Sequence, residues 1–349
     1  MNQRINNSLS IPRILDANLD RAREGLRIIE EWCRFSLENT QLAEECKQMR
    51  QEIAHWHTSE LRIARDTLND PGTALSHPQE ENRSSIEHLL QANLCRIQEA
   101  LRVLEEYGKL YQAEMAIACK KMRYQVYTLE SNLLEYNRCQ KLKESLLYLV
   151  TSPADNILSI VEESLKGGLT LVQYRDKNSE DIIRLETAKK LCQLCHEYHA
   201  LFIMNDRVDL ALAVNADGLH LGQQDIPIAL ARQILGPNKI IGRSTTNPQE
   251  MAKAIAEGAD YIGVGPVYGT PTKPGKTPVG LDYVNYALEN SPVPWFAIGG
   301  IDNQNLPDVL NSGATQVAVV RAIMEADNPK KITQELLTKL SRNKHDRQH

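Results

Sequence analysis

Two cations and an amide occupy alternate positions in Gln173-Tyr174-Arg175-Asp176-Lys177, directly after the apolar run Leu169-Thr170-Leu171-Val172. Alternate residues of a strand share a face, so Gln173, Arg175 and Lys177 point the same way. Two fixed positive charges and an amide aimed at one spot suit an anionic ligand with a hydrogen-bonding ring. Taken alone, the run also reads as the solvated rim of a strand. Asp206 and Asp225 add hard oxygen ligands, which beside Arg and Lys suit Mg²⁺ carrying phosphate oxygens. Each has a plainer reading as a helix cap, Asp206 ahead of Val208-Asp209-Leu210 and Asp225 ahead of Pro227. The Gly- and Pro-rich segment Gly265-Pro266-Val267-Tyr268-Gly269-Thr270-Pro271-Thr272-Lys273-Pro274-Gly275-Lys276 reads as a lid whose Lys273 and threonine hydroxyls capture an anion on closure, or as a basic surface loop. Gly299-Gly300 lets backbone N–H groups approach a phosphate closely. The whole set suits two anionic substrates, one a metal-bound polyphosphate and the other a monophosphate.

These residues need elements that bring them to one place. From about residue 141, short apolar runs alternate with helical stretches. The predicted strands are Leu146–Thr151, Leu169–Tyr174, Leu201–Met204, Gly218–Leu221, Ile240–Arg243, Tyr261–Gly265, Trp295–Ile298 and Gln316–Val320. Strict alternation with apolar strands means a parallel sheet buried on both faces. Eight units in roughly 200 residues predict a compact (β/α)₈ barrel. An open doubly wound sheet is the alternative, but Gly263-Val264-Gly265-Pro266-Val267-Tyr268-Gly269 has the wrong glycine spacing for a dinucleotide fingerprint. In a barrel, ligands sit at the C-terminal strand ends. The candidate residues, together with Asn205, His220, Arg243, Ser244, Val320 and Arg321, all fall at such ends.

Residues 11 to about 136 read as almost pure helix, and this half repeats itself. Leu15 to Trp32 aligns with Leu90 to Tyr107, and Cys46-Lys47-Gln48-Met49-Arg50 with Cys119-Lys120-Lys121-Met122-Arg123. A duplicated helical hairpin packed as a four-helix bundle follows, with the turn signal Asn69-Asp70-Pro71-Gly72-Thr73 between the copies. Domains are therefore predicted at 1–136 and 137–349. Asn18 and Asn93 either face one another across a pseudo-twofold axis or belong, with Arg27–Glu30 and Arg102–Glu105, to a structural polar network. No metal spacing or nucleophile constellation stands out here, His55 and His57 included.

A net charge of −5 gives no reason to expect a nucleic-acid or membrane partner. No apolar run approaches the ~20 residues of a membrane helix. The N-terminus lacks an apolar signal core, so a cytoplasmic protein with reduced thiols is expected. Cys192-Gln193-Leu194-Cys195-His196 spells a haem-attachment motif, but it lies in a helical pattern where two thiols three apart share a core face. Ser341 to His349 reads as a polar, disordered tail.

From Leu146 to Met324 the ordered motifs Gln173-Tyr174-Arg175-Asp176-Lys177, Asn205-Asp206, Asp217-Gly218-Leu219-His220-Leu221-Gly222-Gln223-Gln224-Asp225, Gly263 to Lys273 and Ala297-Ile298-Gly299-Gly300-Ile301 resemble the thiamine-phosphate synthase family. The helical half resembles an N-terminal extension of some bacterial members. The resemblance implies a transferase that joins hydroxymethylpyrimidine diphosphate to a thiazole phosphate, often its carboxylate, with diphosphate leaving. It further implies that Gln173, Tyr174, Arg175, Asp176, Lys177, Asn205, Ser244 and Lys273 bind the pyrimidine diphosphate. Arg175, Lys177, Lys273 and Ser244 would be catalytic, and Asp206 and Asp225 would hold Mg²⁺. Thr270, Pro271, Thr272, Gly300, Val320 and Arg321 would take the thiazole phosphate. A dissociative reaction needs no protein nucleophile, in keeping with the lack of a Ser/His/Asp arrangement. Two rivals remain at this point: a thiazole tautomerase-like relative, which would not need the diphosphate cations, and a non-catalytic sensor with the bundle as its output. Assembly into homo-oligomers is left open.

Overall fold

The apolar runs of the second half form eight parallel strands that close in sequence order, β1 pairing β8. The structure, a computed structural model, describes residues 7–66, 83, 86–270, 275 and 277–346. The chain divides into two units between Leu134 and Glu135.

The first unit holds helices α1 (Asn7–Phe35), α2 (Thr40–Trp56), α3 (Ser59–Ile63), α4 (Ile86–Gly108) and the start of α5 (Ala113–Glu144). The two sequence copies bury equivalent positions. Leu15, Leu19, Leu26 and Ile29 match Leu90, Leu94, Leu101 and Leu104, and Cys46 and Met49 match Cys119 and Met122. Their ion pairs match too: Glu30 meets Arg27 and Arg50, while Glu105 meets Arg102 and Arg123. Gly25 makes the contact between α1 and α4 possible, since a Cβ there would lie 2.7 Å from Ile97. Asn18 and Asn93 each donate to the carbonyl four residues back, Ile14 and Leu89, at 2.8 Å. They belong to the structural network. The turn signal Asn69 to Thr73 lies outside the described residues.

The barrel strands are β1 (Leu147–Val150), β2 (Leu171–Tyr174), β3 (Leu201–Asn205), β4 (Gly218–Leu221), β5 (Ile240–Thr245), β6 (Tyr261–Val264), β7 (Trp295–Ile298) and β8 (Val317–Val319). Helices α6 (Ile157–Lys166), α7 (Asp181–Glu197), α8 (Val208–Ala213), α9 (Ile228–Leu235), α10 (Pro248–Ala256), α11 (Gly280–Asn290), α12 (Leu306–Asn311), α13 (Arg321–Met324) and α14 (Pro329–Asp346) follow the strands. Two-residue alternation sorts the side chains. One parity (Leu149, Val172, Phe202, Leu219, Ile262) packs under the helices. The other (Tyr148, Leu171, Ile203, Ile240, Phe296) fills the barrel. Inward rows run Val150–Gln173–Ile203–Gly218–Ile240 and, nearer the C-terminal ends, Asn205–His220–Gly242–Tyr261. Gly242 makes the second row possible: a Cβ there would stand 2.1 Å from the Tyr261 ring.

The N-terminal end of the barrel is sealed. Leu142 joins the interior cluster, and Gln316 Nε2 donates to the carbonyls of Ser145, Leu142 and Lys143 at 2.7, 3.1 and 3.3 Å. The expected polar tail is corrected in part: Ser341 to Asp346 are the last turns of α14, anchored by buried Leu336 and Leu340.

Candidate active site

A cavity of about 1220 Å³ opens at the C-terminal strand ends. That is above the usual size of a single small-ligand pocket. Gln173, Arg175, Lys177, Asn205, Asp225, Ser244, Thr270, Gly300, Val320 and Arg321 all line it, as the sequence reading expected. Pro271, Thr272 and Lys273 lie outside the described residues.

The acidic pair sits beside Lys177, whose Nζ is 2.8 Å from Asp206 Oδ2. Asp206 has a φ of 58°, in the left-handed region that Asp tolerates better than most residues, and its N–H donates to His220 O at 2.9 Å. Asp225 Oδ2 accepts Gly222 N–H at 2.6 Å. Neither carboxylate caps a helix: α8 and α9 begin after Arg207 and Pro227, with no side-chain cap bond. The two carboxyls instead influence one another. Burial and the neighbouring Asp206 carboxyl raise the pKa of Asp225. Burial acts the same way on Asp206, but the hydrogen bonds from Lys177 and Asp225 outweigh it and lower its pKa.

Tyr174 and Asp176 are placed differently from the expectation. Being of opposite parity to Gln173 and Arg175, they face away from the cavity. Tyr174 is buried in the layer between sheet and helices. Asp176 ties its own loop, accepting from Asn178 N, Ser179 N and Ser179 Oγ at 2.9, 3.1 and 2.6 Å. Parity also turns Arg243 outward, where its guanidinium donates to Ile226 O at 3.0 Å. On the opposite rim, Gly299 and Gly300 have φ of 107° and 66°. A Cβ would meet Pro266 at 2.5 Å from Gly299 and Tyr268 at 2.8 Å from Gly300. Glycine therefore lets two loops touch at the rim. The N-terminus of α13 follows beside them, the position where barrels of this kind bind phosphate.

The cavity floor is a buried polar chain that sequence reasoning missed in part. Gln173 Nε2 donates to Tyr148 OH at 2.6 Å, and Tyr148 OH lies 2.8 Å from Tyr261 OH. Tyr261 OH is 3.0 Å from His220 Nδ1, and His220 Nε2 is 2.8 Å from Ser244 Oγ. Burial pushes both phenols upward, holding them as neutral O–H groups. The available signal was inward parity in apolar runs, where a tyrosine needs a partner for its hydroxyl.

In the Cys192-x-x-Cys195-His196 segment the two thiols are core, as their helical spacing implied, while His196 is exposed. Both thiols are buried, and His196 Nε2 is 2.9 Å from Asp217 Oδ2. In the first unit, buried His57 lies 2.7 Å from Asp16 and joins a cluster with Asp20 and Arg65.

The family profile described as Thiamine monophosphate synthase matches residues 147–323, and that described as ThiD2 family matches residues 13–132. A thiamine-phosphate synthase of Nostoc sp. strain PCC 7120 is 69% identical over 330 residues, covering 95% of this chain and 94% of its own. One from Synechocystis sp. strain PCC 6803 is 68% identical over 333 residues, covering 95% and 97%. Among solved structures, a thiamine phosphate pyrophosphorylase from Pyrococcus furiosus matches with a TM-score of 0.54 and 38% identity, over 58% of this chain and 98% of that one. No described helix is long and apolar enough to cross a membrane. With the closed barrel, the polar strand ends and relatives alike over nearly their whole length, the chain belongs to the thiamine-phosphate synthase family.

Proposed function

We propose that the chain joins hydroxymethylpyrimidine diphosphate to thiazole phosphate, or to its carboxylated form, giving thiamine phosphate and diphosphate, with CO₂ released from the carboxylate. The observation that carries this reading is Lys177, Asp206 and Asp225 held together beside a cavity floored by Gln173 and Ser244 and rimmed by Gly299-Gly300. In the reaction the pyrimidinyl-CH₂–O bond breaks and its electron pair leaves with the diphosphate. The aminopyrimidine ring steadies the cation, and the thiazole nitrogen lone pair forms the new C–N bond.

The residues fit Mg²⁺: two hard carboxylates lie close enough to raise the pKa of one of them, a repulsion that a divalent cation relieves. Bound there, the metal supplies positive charge to the departing diphosphate. Arg175 and Lys177 add fixed charge on the same side, and the family resemblance would add Lys273 to them. Asn205 and Ser244 orient the ring, while the amides around Gly300 and Val320-Arg321, with Thr270 and Thr272, hold the second phosphate. A cytoplasmic location and a synthase barrel over 137–349, preceded by a helical domain over 1–136 to which no role is assigned, belong to the same proposal. The match of one profile to residues 147–323 supports the barrel's part of it.

The test incubates the purified chain with both phosphorylated substrates and Mg²⁺, following thiamine phosphate through its fluorescent oxidation product. Product that vanishes on chelation is expected. No product from intact substrates would overturn the reading.

A further inference from the structure

The polar chain beneath the cavity has a direction, fixed by counting donors. At its near end the Gln173 amide nitrogen can only donate, so Tyr148 oxygen accepts. If the Tyr148 hydroxyl then donates to Tyr261, the Tyr261 hydroxyl donates to His220 Nδ1. The imidazole proton then sits on Nε2 and is donated to Ser244 Oγ. Every hydroxyl hydrogen is used, and the last one, on Ser244, is left for the cavity. In the reverse order Tyr261 donates to Tyr148, His220 Nδ1–H to Tyr261, and Ser244 to Nε2. Tyr148 then accepts twice, and among the described residues its own hydrogen has no acceptor. Tyr148 is 2% exposed, so that orphan donor would be a buried hydrogen with nothing to meet it, which folded proteins avoid. A doubly protonated ring leaves Tyr148 in the same position.

We infer that Tyr148 and Tyr261 are positioning residues that hold His220 as its Nε2–H tautomer, so that Ser244 meets the substrate as a hydrogen-bond donor. The inference rests on the proposed pyrimidine site and names its chemistry: the group recognised at Ser244 is an acceptor, as a ring nitrogen is. His220 then does not serve as a base for Ser244, since its Nε2 already carries the proton. Ser244 is held from behind as well, its backbone carbonyl accepting Gln223 Nε2 at 2.7 Å. Because the burial that raises both phenols keeps their hydrogens in place, the order persists through neutral pH.

The test is nitrogen NMR of the full chain labelled at histidine, with His220 assigned from the signal lost in His220→Asn. A pyrrole-like Nε2 and a pyridine-like Nδ1 are expected. Protonated Nδ1 would overturn the inference, because it turns the Gln173 oxygen toward Tyr148 and makes Ser244 an acceptor. Steady-state kinetics supply the second readout. Tyr261→Phe should raise KM for the pyrimidine diphosphate about tenfold, the scale of one lost hydrogen bond, and leave KM for the thiazole phosphate unchanged. His220→Gln, whose amide nitrogen can reach the place of Nε2, should recover activity that His220→Asn does not. Equal rises in both KM values, or no change of tautomer in Tyr261→Phe, would reduce the tyrosines to packing. Should Tyr261→Phe fail to fold, the wild-type spectrum decides alone. A wild-type chain that makes no thiamine phosphate would sink the proposed reaction and leave the tautomer result standing.

Discussion

The two ends of β4 meet carboxylates in opposite states. At the N-terminal end Asp217 is fully partnered, accepting from Phe202 N–H at 3.0 Å, His196 Nε2 at 2.9 Å and Arg138 Nε at 3.2 Å. At the C-terminal end Asp206 and Asp225 lean on one another. Among the described residues Lys177 is the one cation in ion-pair contact with them. A carboxylate surrounded by fixed donors contributes to stability and has nothing left to offer a ligand. Two neighbouring carboxylates with a single cation between them contribute little to the fold and leave capacity for a cation. The family motif from Asp217 to Asp225 thus spans two physical tasks: Asp217 serves the fold, while His220, Gln223 and Asp225 line the cavity.

The comparison breaks most visibly on metal removal. Chelation should abolish thiamine phosphate formation while leaving the thermal midpoint nearly unchanged; a coupled fall in both would mean that the acidic pair is structural. Next in size, Asp206→Ala should lower kcat by about 10²-fold or more, by analogy with loss of one preorganised charged group, again with little change in urea midpoint. At the other end Asp217→Ala should do the reverse. It strands Arg138 and a buried backbone N–H, so unfolding in urea should show a loss of about 3 kcal/mol, with turnover per folded molecule retained.

The smallest expected effect is a pH slope. The hydrogen bond to Asp217 raises the His196 pKa from 6.5 to about 10, and burial opposed by the His196 hydrogen bond leaves Asp217 below 3.8. Histidine contributes fully below 6.5 and loses its contribution as pH rises through 10; aspartate contributes above 3.8 and loses it on acidification. The pair is therefore most stabilising between 3.8 and 6.5. The stability gap between wild type and His196→Gln should narrow steadily from neutral pH toward 10. A constant gap would show that the pair does not titrate with folding.

Much of this was legible in the chain because it depends on period. Apolar runs alternating with helical stretches dictate a closed parallel barrel. Parity within Gln173 to Lys177 dictates which three side chains turn inward, and it excludes Tyr174 and Asp176, which motif likeness alone had included. The duplicated hairpin was readable because its buried positions recur at fixed offsets. Contacts across the barrel were not readable. Tyr148 and Tyr261 stand 113 positions apart and meet only because strands one and six face each other over a narrow interior. Whether Asp206 and Asp225 cap helices was not readable for a local reason: a carboxylate ahead of a helix can cap it or turn elsewhere, and only the bonding of the next turn decides.

Gly242 carries a consequence for inheritance. It contacts no proposed ligand, yet any side chain added there meets the Tyr261 ring at 2.1 Å. Every missense change in that codon should thus push against the donor chain that ends at Ser244. Mutational scanning should map it as intolerant, as if it were part of the catalytic surface. The genetic boundary of the site runs one strand deeper than its chemical boundary.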